Sequence, residues 1–482
     1  MKVKNRGKIE TAIIAVVILV VTAAVSVGVM ASVGFFKSDK ETALELLAQV
    51  PKKLSRSYVS DHVGTGELIR ASMEKGSSAS VRLSGLKFND KIMKEAGTDF
   101  DFSKFVFQAE IQTSADRTKS NTLLNLSKGD ERLSVVAYMV EDKTCTAFPE
   151  LSPGKVVVVD KREWESLSED SGVVDLLESR MDYMTNRKYN EFGKAFEKFL
   201  WDEVKKVYDE LSCKETEKDT YRLTVPKSAL DTVFHDFYHF MSEQKETVDF
   251  LNMYLDEEDD LLSFLEEAVE KITSESSDFI FYVKGSEKDV SRVSFEVTLN
   301  GNPYSLSMDF EGKEDSKAQL QLKTKQDGEN ISLDIVMKDT KTDNLSESLD
   351  AHLLIDDISF GKLSYLAVID PKDNKYKSEI TLDAVGEEVF SIKAEGLVKN
   401  LNPGKSVSYD LKNVSLRVEG DKILSAAVNV TLGTLEGEIE PPKGEEINGT
   451  DLEDPKQDAF AEEIMQNGFS MLSKWGLYDD EL

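Results

Sequence analysis

The sequence predicts an α+β protein: an N-terminal transmembrane helix, then a large, curved, half-barrel-like antiparallel β-sheet in two blocks that flank a helical insertion. Three observations predict it. An uncharged apolar run opens the chain. Apolar and polar residues then alternate with a period of two over residues 78–160 and again over 277–440. Between those blocks, apolar residues recur at the spacing of a helix face.

The N-terminal run, Thr11 to Phe36, carries no charge and is long enough to cross a hydrocarbon layer of about 30 Å. Residues 9–36 are therefore expected to be a transmembrane signal-anchor. Lys2, Lys4, Arg6 and Lys8 form a basic stub over residues 1–8, which the positive-inside rule keeps in the cytoplasm. The expected protein is single-pass in the cell membrane, with its C-terminal ectodomain outside. Cys145 and Cys213 are the only cysteines. In an exported domain they are a disulfide candidate, and no CxxC pair points to redox chemistry or a cysteine zinc site.

Residues 37–77 read as short helices: Ala43, Leu44, Leu46, Leu47 and Val50 share one side of "SDKETALELLAQVPKKL". In the first β block, "SVRLSGLKF", "KFVFQAEIQTS", "SNTLLNLSK" and "RLSVVAYMV" are one-sided strands. The insertion, 161–276, holds a helix whose apolar stripe includes Phe192, Phe196, Phe199 and Leu200. In the second block Val293, Phe295 and Val297 alternate with Ser294, Glu296 and Thr298, and a meander of similar strands follows. Residues 441–482 read as an acidic linker and a C-terminal amphipathic helix bearing Phe460, Ile464, Phe469, Leu472 and Trp475.

Acids outnumber bases 90 to 59, for a formal net charge of −31, which excludes nucleic acid as a partner. One stretch invites a metal reading. "HDFYH" spaces His235 and His239 four apart, as a zinc-protease helix does, but Asp236 stands where the longer Glu would activate a metal-bound water. On a helix wheel both histidines fall opposite Leu230, Val233, Phe234, Phe237 and Met241, so they are expected to be solvated. Glu257 or Glu258 as a third ligand sits in an acidic run that reads more simply as a helix N-terminus. His62 and His352 stand alone. No GxSxG, P-loop or GxGxxG motif occurs. The expectation is a non-enzyme with no cofactor, and a zinc-dependent hydrolase using His235 and His239 is a remote alternative.

The order of a short leading helix, about six strands, a helical insertion and further strands resembles the bacterial LolA- and LppX-type lipoprotein-carrier fold over residues 41–440. The resemblance is one of topology, without a sequence motif or a lipid-attachment cysteine. It implies a sheet wrapped around helices with an apolar cavity. On that reading Phe192, Phe196, Phe199 and Leu200 line a site for a lipid or amphiphile, in a non-catalytic protein anchored in the cell envelope. The alternative is an envelope scaffold or receptor-type ectodomain with a dry core that contacts protein partners.

Overall fold

The structure is a computed structural model and describes residues 38–54, 57–95, 100–116, 118–140, 143–160, 188–252, 260–275, 277–286, 289–299, 302–312, 316–326, 328–449 and 455–477. Along the chain these form helices α1 (Asp39–Leu47), α2 (Val50–Leu54), α3 (Tyr58–Val63) and α4 (Thr65–Lys75), strand β1 (Ser77–Phe88) and helix α5 (Asp90–Glu95). Strands β2 (Phe105–Thr113), β3 (Lys119–Lys128), β4 (Glu131–Val140), β5 (Lys143–Ala147) and β6 (Lys155–Asp160) precede helix α6 (Lys188–Glu210). The strands β7 (Ser212–Glu217) and β8 (Thr220–Val225) lead to helices α7 (Lys227–Glu243), α8 (Lys245–Asn252) and α9 (Leu261–Glu275). Next come β9 (Phe279–Ser286), β10 (Asp289–Leu299), β11 (Asn302–Glu311), β12 (Ser316–Gln326), β13 (Glu329–Lys341) and β14 (Leu345–Ile355). The last strands are β15 (Ile358–Ile369), β16 (Lys375–Ala384), β17 (Glu387–Asn402), β18 (Ser406–Val418), β19 (Asp421–Thr434) and β20 (Glu445–Asn448), before α10 (Pro455–Lys474). The described residues thus hold twenty strands, in a chain that divides into two compact units.

The first unit comprises residues 1–58, 188–366 and 381–387. Its strands pair as neighbours from β7 through β8, β9, β10, β11, β12 and β13 to β14, all antiparallel. Because directly opposed residues share a face, Leu223, Phe281, Phe295 and Leu306 form one apolar row across four strands. Helices cover that row: Leu44, Leu46 and Leu47 of α1 and Leu230 and Phe234 of α7 are buried in the same core. Helix α1 starts where it does because Ser38 and Glu41 form a reciprocal capping box, each side chain accepting from the other's backbone N–H at 3.2 and 2.9 Å.

One charge in this unit is out of place. Glu203 on α6 is 5 % exposed, and its Oε2 has no hydrogen-bond partner among the described residues. Its Oε1 accepts from Lys206 Nζ at 2.6 Å, and the same ammonium donates to Asp236 at 2.7 Å. Burial raises the Glu203 pKa despite the Lys206 hydrogen bond, which lowers it. A carboxyl that holds its proton more tightly when folded contributes stability that is full below its unfolded pKa and is lost as pH rises through the folded pKa. Glu203→Gln is therefore expected to flatten the fall in stability that sets in as pH rises above the ordinary glutamate pKa of about 4.3. Urea midpoints measured as pH rises past that value test it, and parallel curves for the two proteins would refute it.

The second unit comprises residues 59–187, 367–380 and 388–482. Its strands pair in the order β17, β18, β19, β1, β2, β3, β4, β5, β6, with every neighbour antiparallel. Strand β20 adds to β6 in parallel. Helix α10 is tied to the β5–β6 region: Glu463 accepts from Ser152 Oγ at 2.8 Å and Lys155 Nζ at 2.6 Å, and Asn467 donates to the Leu151 carbonyl at 2.7 Å.

The fold class needs correcting. The expected design was an N-terminal transmembrane helix and then one large sheet in two blocks flanking a helical insertion. The described residues do hold one twenty-stranded sheet, but the strands of its second block are shared between two compact units. Strands β9–β14 belong with helices α6–α9, whereas β17–β19 join the first block through the pairing of β19 with β1. The insertion is itself interrupted by the pair β7–β8. Among the described residues no helix is long and apolar enough to cross a membrane. The segment 9–36, on which the transmembrane expectation was built, lies outside the described residues, as do 161–187, Glu257 and Glu258.

Candidate apolar binding face

Strand β1 is the axis of the candidate site. Val81 stands opposite Val430 of β19 and Ala109 of β2, and Leu83 opposite Val428 and Phe107. Ala79 is opposite Leu432 and Ile111. On β3, Leu124 and Leu126 oppose Ala109 and Phe107 and extend the same face. Across these four strands the central positions of one face carry no charge. The reverse face presents Ser80, Arg82, Gln108, Glu110, Asn429 and Thr431.

Alternation of this kind is how a half-buried strand hides its apolar side, yet here that side is open. Val81, Phe107, Ile111, Leu124 and Leu432 are each 38 to 49 % exposed. In the first unit the equivalent row is sealed, with Phe281, Phe295 and Leu223 at 1 to 2 %. Contiguous apolar surface left open in this way marks an interaction site.

The face is closed at one end by aromatic side chains. Phe105, at the start of β2 on the same side as Phe107, is buried and meets Trp475 edge-to-face with ring centroids 5.4 Å apart. Lys128, opposite Phe105 on β3, lies 5.4 Å from the centre of that ring and donates to the Trp475 carbonyl. Phe100 continues the cluster 5.0 Å from Phe105.

The residues singled out from sequence lie elsewhere. Phe192, Phe196, Phe199 and Leu200 are partly buried on α6. The three rings meet Phe237 and Phe240 of α7 in an aromatic seam, closest between Phe199 and Phe240 at 4.8 Å. His235 and His239 are exposed on α7, and the described residues contain no group of three or more His, Cys, Asp or Glu side chains that could hold a metal. His62 Nε2 is 3.0 Å from Asn374 Oδ1, and His352 Nε2 is 2.8 Å from Ser359 Oγ.

Cys145 on β5 and Cys213 on β7 are free thiols in different units. Burial raises both pKa values, that of Cys213 to about 11, so neither is a ready nucleophile at neutral pH. The open face was missed because sequence shows that Val81 and Phe107 lie on apolar sides, not whether anything covers them. The missed signal was that these sides bear no charge over four successive strands of the pairing order.

No family model and no curated protein matches the sequence. Among solved structures, Pseudomonas aeruginosa OccK11 (OpdR) is similar over 74% of this chain and 95% of its own, at 6% identity and a TM-score of 0.21. Pseudomonas aeruginosa OpdQ is similar over 74% and 96%, at 4% identity and a TM-score of 0.22.

The expected single-pass envelope protein, held by an N-terminal helix with its C-terminal part outside, is corrected along with the fold class. So are its two functional forms, the anchored carrier of a lipid or amphiphile and the scaffold or receptor-type ectodomain. They rested on a transmembrane helix, and no described helix can cross a membrane.

Proposed function

We propose that this is a non-catalytic binding protein that engages an apolar partner on the charge-free face of β19, β1, β2 and β3. The observation that carries the reading is the exposure of Val81, Phe107, Ile111, Leu124 and Leu432 on one side of four adjacent strands. Apolar area is held against water here at a cost of roughly 25 cal/mol per Å², and a partner that covers it recovers that free energy. Likeness to the LolA- and LppX-type fold is part of the same proposal, supported by the helices that lie on one face of the first unit's sheet.

The dye 8-anilinonaphthalene-1-sulfonate, which brightens on open apolar surface, tests the reading. The wild-type chain is expected to enhance its fluorescence, and the double variant Phe107→Gln, Leu124→Gln to lose most of that enhancement at an unchanged melting temperature. Both side chains already face solvent, so the fold tolerates the change. Equal enhancement by the two proteins would remove the basis of the proposal.

A further inference from the structure

We infer that the pocket at the bulged end of β1 is a binding site for a small, neutral aromatic molecule. The pocket has a volume of about 460 Å³, and its apolar wall is formed by Leu86, Phe88, Met93, Phe100 and Phe102. That volume lies in the range of about 300–1,000 Å³ usual for small-molecule sites. The site lies past the end of the open sheet face, shares Phe100 with the aromatic cluster there, and makes no use of Phe107 or Leu124.

Backbone devices build the pocket. Between Ser84 and Lys87 strand β1 carries one residue more than β19, and Gly85, at φ 60°, takes the left-handed turn that accommodates it. The extra residue reverses the alternation, so Phe88 comes opposite Leu424 and joins the apolar side that Leu83 occupies before the bulge. Asn89 then locks the exit from the strand: its N–H donates to the Ile423 carbonyl at 2.8 Å and its side chain to the Lys422 carbonyl at 2.9 Å. Helix α5 begins at the next residue and contributes Met93. On the other side Asp101 Oδ1 accepts from Ser103 N–H and Oγ, at 3.1 and 2.6 Å, and holds the single 3₁₀ turn that presents Phe102.

The wall selects its guest. Phe102 meets Phe88 at 5.1 Å and 73°, and Phe100 at 4.7 Å and 80°. Edge-to-face rings of this kind extend readily to one more ring, and the Met93 thioether is a further soft contact for an aromatic edge. The polar rim carries Lys87 and Lys94 against Asp90 and Asp101, two charges of each sign. Asp101 is already engaged by Ser103 and by Lys104 at 3.3 Å. With the signs balanced, the rim gives a charged guest no net attraction, and the rings decide affinity.

Indole titrated into the full chain and followed by saturation-transfer NMR tests the inference, with cyclohexanol as a non-aromatic guest of similar size. Indole is expected to saturate a single site and cyclohexanol to bind at least tenfold more weakly. Phe102→Leu is expected to weaken indole at least fivefold. Met93→Trp, which fills the pocket from a helix of its rim, is expected to abolish binding with the melting temperature retained, and stands in for Phe102→Leu should that variant fail to fold. The variant Phe107→Gln, Leu124→Gln should bind indole as the wild type does, which separates this site from the sheet face. Absence of saturable binding, equal binding of cyclohexanol, indifference to Met93→Trp, or loss of binding in the sheet-face variant would each overturn it.

Discussion

Phe295→Ala is expected to cost about 3–5 kcal/mol of stability, the range for deleting a core phenylalanine. The ring is 2 % exposed at the centre of the first unit's sheet. It lies 4.9 Å from Phe281 and 5.1 Å from Phe279. On its other side it stands opposite Leu306 of β11. These neighbours, on the two flanking strands β9 and β11, are themselves held by ladder hydrogen bonds, so they cannot collapse into the space and the cavity term adds to the lost burial. Phe295→Leu keeps most of the volume and should cost less than half as much. Hydrogen exchange of the β9–β11 amides reports on this unit directly. Slow exchange in the alanine variant equal to wild type would show that the core is not packed as described.

Gly76→Ala is the second large effect, and its cause is backbone. Gly76 closes α4 at φ 87°, ψ 171°, a region open in practice to glycine alone. A Cβ built there would sit 2.4 Å from the Thr113 carbonyl oxygen and 2.9 Å from the Ala115 nitrogen, both main-chain atoms that no rotamer change can move. The residue is also tied at both ends: its N–H donates to Ser72 at 3.0 Å, and its carbonyl accepts from Leu435 at 3.1 Å. The dihedral strain alone is on the order of 1–3 kcal/mol, and relieving the clash means parting the first rung of β1 and β2. A melting temperature lower by several degrees is expected. Gly66→Ala in the same helix has nothing within 4 Å and should leave it unchanged or slightly raised. Equal melting of the two variants would contradict the geometry at Gly76.

Where strands begin and which side of each is apolar could be read locally, because the period of two is a property of a single strand. Val293, Phe295 and Val297 are buried as a row, and β10 pairs antiparallel with β11, the pair read from the same alternation. The apolar stripe at Phe192, Phe196 and Phe199 was equally visible. Which rings it would meet was not, because Phe237 and Phe240 lie on another helix and helical periodicity names no partner.

The sequence by itself determined the strand-rich character of the chain, the two-sidedness of its strands and its acidity. These are one-dimensional properties, set by residue types within a few positions of each other. Tertiary structure alone decided that β1 pairs with β19, bringing Ser77 opposite Thr434, and so divided the second block between two units. It alone decided that Phe281 and Phe295 are covered while Val81 and Phe107 are open. The strands alternate alike in both units, and the difference lies in which helices lie over them. Coverage is settled by contacts between residues tens to hundreds of positions apart, whose free energy leaves no mark on the local pattern of either partner.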